Sequence, residues 1–251
     1  MKILLLWTWS PAVFLSCAAG VAVYFALFGA ARRAWYLAAA VGVVLLALVS
    51  PVNALADGYL FSAHMLQHIL LLLIAPALLL ASLPPSVSLP RAAGSPVAGW
   101  LAGVGAMWFW HAPALCNAAA ASRPVHAAQT LSLLALGSLF WWQTLAPREG
   151  DRLRPLSAVM YLFTACTACS VLGIILTFSP VTVCSIYMHP VDRLGIESFI
   201  RDKWGMTMEK DQQIGGLLMW VPMCLLYLGA IFAQFARWYG ERDAIPEPKK
   251  I

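Results

Sequence analysis

Residues 63–83, AHMLQHILLLLIAPALLLASL, decide the fold of this chain. The stretch contains no Lys, Arg, Asp or Glu, and a helix needs about 20 apolar residues to cross the hydrocarbon core of a bilayer. It therefore reads as a membrane span. It also opens with His64 and His68, two imidazoles at i and i+4 that share one helix face. Polar groups at membrane depth are costly unless they have a use, so the same residues that set the fold point to a site.

Six further runs of comparable length flank this one. Together the spans are approximately Pro11–Ala31, Trp35–Leu55, Ala63–Leu83, Pro96–Cys116, Val125–Ala146, Pro155–Phe178 and Gln213–Trp238. Proline and glycine punctuate the joins, and Pro76 and Pro222 fall inside helices, where they should kink or loosen them. The 251 residues are 61% hydrophobic and 11% charged, with mean hydropathy +0.78, against roughly 25% charged in a soluble domain. The expectation is an all-α polytopic membrane protein, a single seven-helix transmembrane domain over residues 1–251. Its long loop covers about 179–212, with Ile196–Trp204 as a short interfacial helix, and its tail about 239–251. The start at Met1 reads as an uncleaved first helix rather than a signal peptide.

The basic residues give the orientation. Arg32, Arg33, Arg91, Arg148, Arg152, Arg154, Arg237, Arg242, Lys249 and Lys250 fall on one side, and in short segments only Lys2 and Arg123 fall on the other. By the positive-inside rule the richer side is cytoplasmic. The N-terminus is then outside, on the periplasm or cell exterior, and the C-terminus cytoplasmic. The net charge of +5 follows from this topology and does not call for a nucleic-acid partner.

This topology places all five histidines on the outer face. His64 and His68 open one span, His111 closes the next, His126 opens another, and His189 lies in the long loop. Met107 sits one turn deeper than His111, and Met219 enters the last span at the same level, with Met223 a turn below. Imidazoles with thioethers select copper, Cu(I) in particular. The candidate metal ligands are His64, His68, His111, His126, Met107 and Met219, with Asp57 and Asp211 at the margin. Asp211 is expected to cap the last helix, and Gly215-Gly216 to permit close helix packing. The tryptophans, Trp108, Trp110, Trp141, Trp142 and Trp220 among them, read as interfacial belt residues. The six cysteines show no disulfide-framework spacing and read mainly as small packing residues; Cys166-x-x-Cys169 is an isolated mid-helix pair. No phosphate loop, nucleophile elbow or mid-helix charge is present, which points away from an enzyme and from a proton-coupled transporter.

Several stretches resemble the CtaG family of cytochrome c oxidase assembly factors, the seven-helix bacterial type. They are His64-Met65-Leu66-Gln67-His68 with its Leu-rich run to Pro84-Pro85, Trp110-His111-Ala112-Pro113-Ala114-Leu115, His126 ahead of Phe140-Trp141-Trp142, and Asp211-Gln212-Gln213-Ile214-Gly215-Gly216-Leu217-Leu218-Met219-Trp220. The chain departs from the family pattern at Cys116-Asn117. The resemblance implies a non-enzymatic role in maturing a haem–copper oxidase by supplying copper. The partners it implies are oxidase subunits, membrane lipid and a periplasmic copper donor. The residues alone leave three alternatives open: a haem-binding electron-transfer protein, a copper permease, and a structural partner whose histidines only hydrogen-bond.

Overall fold

A computed structural model describes residues 6–29, 33–90, 94–188 and 190–243. It is 79% helical, and no strand occurs among the described residues. The helices are α1 (Pro11–Phe28), α2 (Ala34–Leu48), α3 (Pro51–Ala56), α4 (Phe61–Ile69), α5 (Ala75–Ser82), α6 (Pro96–Trp110), α7 (Pro113–Ala121), α8 (Arg123–Leu145), α9 (Pro155–Phe178) and α10 (Met208–Asp243). Most begin with proline in the first turn, where its missing N–H and fixed φ cost nothing.

Among the described residues, five helical stretches are long and apolar enough to cross a membrane: Pro11–Phe28, Ala34–Ala56, Phe61–Ser82, Pro155–Phe178 and Met208–Glu241. The other two expected spans differ for separate reasons. The run Pro96–Cys116 breaks at His111 and Ala112, so α6 has 15 residues and α7 restarts at Pro113. Helix α8 has the length, at 23 residues, but Gln129, Thr130, Gln143 and Thr144 interrupt its apolar surface and are buried inside the bundle.

Pro76 has the expected effect. Between α4 and α5 the backbone widens into a π-helical turn, Leu70–Ile74, just ahead of that proline, where the lost N–H and the ring disturb the ladder. Pro222 leaves α10 helical throughout. Close approaches occur where glycine removes the side chain: a Cβ at Gly137 would strike the Leu72 carbonyl, and one at Gly216 would strike Thr177. The main core gathers Met65, Met107, Leu133, Phe140, Leu162, Met219 and Tyr227 between α4, α6, α8, α9 and α10. Trp110, Trp141 and Trp142 belong to this core rather than to an interfacial belt. Their burial reflects contacts invisible in the sequence, such as the Trp110 Nε1–H bond to Ser132 Oγ.

A smaller cluster of Ala54, Tyr59, Leu60, Ile196 and Ile200 packs the long loop over one end of the bundle. The expected short helix Ile196–Trp204 is present over residues 197–203, and its Phe199–Lys203 part is a π-helical turn. That end carries the histidines. The opposite end carries arginines: Arg152 donates to the Ala146 carbonyl at the close of α8, and Arg237 donates to the Leu153 carbonyl.

Candidate functional site

The histidine site is built on the first turns of α4, whose free N–H groups need an acceptor. The cap comes from another helix. Asp211, in the first turn of α10, accepts from the Phe61 and Ser62 backbone N–H groups at 2.7 and 3.0 Å and from the Ser62 hydroxyl. This corrects the expectation that Asp211 caps its own helix: the carboxylate lies across the helix pair and fixes the histidine-bearing turn. Gly215 makes the crossing possible, since a Cβ there would meet Phe61 and Met65. Next to Asp211, Gln212 accepts from Val183 N–H and donates to the Ser179 and Val181 carbonyls, tying down the loop. Gln67, between the two histidines, donates to the Ala47 carbonyl and to Asn53 Oδ1.

Four imidazoles then come together. The ring centroids of His64 and His68 lie 4.5 Å apart, those of His68 and His111 4.9 Å, and those of His64 and His126 6.4 Å. His64, His68 and His111 are buried, and His126 is half-buried. Neither nitrogen of His68 nor Nε2 of His64 has a hydrogen-bond partner among the described residues. The Gln129 amide lies beside His68 with its Nε2 likewise unpaired. Buried polar nitrogens without partners are rare because each carries an uncompensated desolvation cost.

His111 shows how such nitrogens are poised. It ends α6, and its Nδ1 lies 2.5 Å from the Met107 carbonyl left free by the end of the helix. A carbonyl only accepts, so Nδ1 carries the proton, and the lone pair of the neutral ring sits on Nε2. That nitrogen faces the Met65 sulfur at 3.0 Å. Two lone pairs then confront each other in a buried place, an arrangement that a cation between them relieves. An N–H bonded to a backbone carbonyl is also what orients a metal-ligating histidine. As they stand, no three His, Cys, Asp or Glu side chains among the described residues are arranged to hold a metal ion. The converging donors are imidazoles paired with a thioether.

The methionines are redistributed relative to expectation. Met107 meets His111 through its carbonyl, while its side chain and that of Met219 are fully buried in the core. The sulfur against an imidazole is that of Met65, which lies inside the His64–His68 motif but faces His111. Asp57 lies close enough to His126 to act on it electrostatically. His189 lies outside the described residues.

The roof over the site comes from the long loop. Tyr187 is buried with its ring 6.1 Å from His64 and its hydroxyl donating to the Ala56 carbonyl at 2.9 Å. Burial, reinforced by Asp211 and Asp57, pushes its phenol well above the usual range, so the ring stays neutral. Asn117 Oδ1 on α7 accepts from Ser185 Oγ and Ile186 N–H. Beside these bonds Cys116 and Cys184 form a disulfide across 68 residues, with Cα atoms 5.9 Å apart. The reading of the cysteines as packing residues without a disulfide is therefore corrected for this pair. A pairing across 68 residues leaves no local spacing to read; it exists because α7 folds back under the loop. Gln129 carried a fainter signal, as a polar residue one helical turn from His126.

No curated protein and no solved structure matches the chain. A family model described as cytochrome c oxidase caa3 assembly factor (Caa3_CtaG) matches residues 24–241. That range takes in every helix of the histidine site, including the Asp211 cap and the Tyr187 roof, and the chain belongs to this family of cytochrome c oxidase assembly factors.

Proposed function

We propose that this protein assists assembly of a cytochrome c oxidase by holding copper, as cargo, at its histidine end and passing it to an oxidase subunit. Family membership supports the assembly role. The observation that carries the copper reading is the His111 Nε2–Met65 Sδ pair beside the unpartnered nitrogens of His64 and His68. Two or three neutral nitrogen and thioether donors suit Cu(I), a soft ion that accepts low coordination numbers. His64, His68, His111 and His126 are the proposed nitrogen ligands. Met65 is the proposed thioether, with Met107 and Met219 as further candidate sulfurs.

In this proposal the chain crosses a bacterial inner membrane seven times, with α6–α7 and α8 completing the five apolar spans. The arginine end faces the cytoplasm and the histidine end the periplasm, where an outer-side copper donor would load it. The disulfide at the histidine end supports that side independently, since disulfides persist in oxidising compartments. Ligands at helix ends can be exchanged one at a time with a partner.

The test is copper analysis of protein purified in detergent. Wild type is expected to retain Cu(I) against a competing chelator, and His64→Ala/His68→Ala to retain less per chain while still folding. Equal copper in both rejects the ligand set. Sharp haem bands in the visible spectrum replace the copper reading with an electron-transfer one.

A further inference from the structure

The histidine end leaves a second group of soft donors without a role. Three of the free cysteines lie together between α9 and α10. The Cys166 thiol donates to Cys224 Sγ across 3.5 Å, and Ser170 Oγ lies 3.1 Å from the same sulfur. Cys169, one turn along α9, is buried with its sulfur 3.9 Å from the Tyr227 hydroxyl. Cys166 and Cys169 sit about halfway along the 24-residue apolar helix α9, and α10 brings Cys224 to the same level. Those thiols are therefore near the middle of a hydrocarbon core about 30 Å thick.

A cysteine at a close helix crossing is commonly a small packing residue, as Gly173 is against Trp220 in the same interface. Packing alone does not call for two sulfurs facing each other with a third one turn away. Nor does it call for the buried sulfur residues Met219 and Met223, which occupy α10 between the cysteines and the histidine end. We propose that Cys166 and Cys224 form an intramembrane binding site for a soft monovalent cation of the Cu(I) class. This site is separate from the histidine cluster and does not depend on the reading given to that cluster.

Donor type and number select the ion. Binding releases one proton from the shared Cys166–Cys224 pair, leaving one thiolate and one neutral thiol on a monovalent cation, so the loaded site carries no net charge into the bilayer interior. Two sulfur donors also satisfy Cu(I) while falling short of the four ligands of a structural zinc site.

The experiment uses the full chain in detergent, titrated without oxygen with Cu(I) supplied as its acetonitrile complex against a competing chelator. Cys166→Ser/Cys224→Ser is expected to bind one ion fewer per chain than wild type, and His64→Ala/His68→Ala to keep that ion. In the unaltered chain, Cu(I) is expected to protect Cys166 and Cys224 from a membrane-permeant maleimide, read by peptide mass mapping. Unchanged stoichiometry in the serine variant overturns the site. So does unprotected labelling of the wild type, which stands even where the variant fails to fold.

Discussion

Helix α1 and the α4–α5 span are almost equally apolar, yet 67% of the second is buried and only 6% of the first. In water such a pair could not exist, because an apolar helix without a partner would collapse onto the core. In a bilayer the surroundings are as apolar as the core, so hydropathy places a helix in the membrane without placing it in the bundle. What distinguishes the two is polar content. The α4–α5 span carries His64, Gln67, His68 and Ser82, all buried, and these need protein around them. Helix α1 offers one such handle, the Tyr24 hydroxyl that donates to the Ser82 carbonyl at 2.6 Å.

If polar anchoring sets the difference, removing an anchor on the buried span should cost most. Asp211→Ala removes the acceptor of three hydrogen bonds at the start of α4. It is expected to lower unfolding free energy by about 2–3 kcal/mol, the scale for charge-assisted bonds at a helix cap. Reversible unfolding in mixed micelles measures this, and a loss below about 1 kcal/mol would break the assignment of Asp211 as the cap.

Space gives the next contrast. Gly137→Ala drives a methyl into the Leu72 carbonyl and should cost about 1–3 kcal/mol by overpacking. Gly20→Ala on α1 meets nothing within 4 Å and should be neutral or stabilise by up to about 1 kcal/mol. Equal effects in the same unfolding assay would show that α1 is as closely packed as α4–α5.

The smallest effect is expected at the Tyr24 anchor of α1. Tyr24→Phe should cost about 0.6 kcal/mol, the mean for an interhelical hydrogen bond in a membrane. Its signature is local: faster amide exchange in α1 with exchange in α4 unchanged. Parallel loosening of both helices would mean that α1 is integral to the core.

Much of the helical layout was legible in the chain. Pro155–Phe178 matches its expected bounds and Phe61–Ser82 lies within two residues of them, because uninterrupted apolar length leaves a helix few alternatives. The break at His111 was not legible, since Pro113 is as compatible with a kinked span as with a new helix. The convergence of the four histidines followed from their common position at span ends. Their individual contacts did not, because helix rotation decides which side chain of a motif meets which neighbour. Met65 rather than Met107 therefore presents its sulfur to His111, and Asp211 caps α4 rather than α10.

By itself the sequence determined the helical class, the approximate helix bounds, and one end bearing histidine with the other bearing arginine. All of these follow from apolar length and from the position of charge along one dimension. Only the tertiary structure decided the Cys116–Cys184 bond, the Tyr187 roof, the Asp211 cap and the facing sulfurs of Cys166 and Cys224. Each joins residues at least 58 positions apart, and such pairs are fixed by how glycine-lined helices rotate and cross, which is a property of packing in three dimensions.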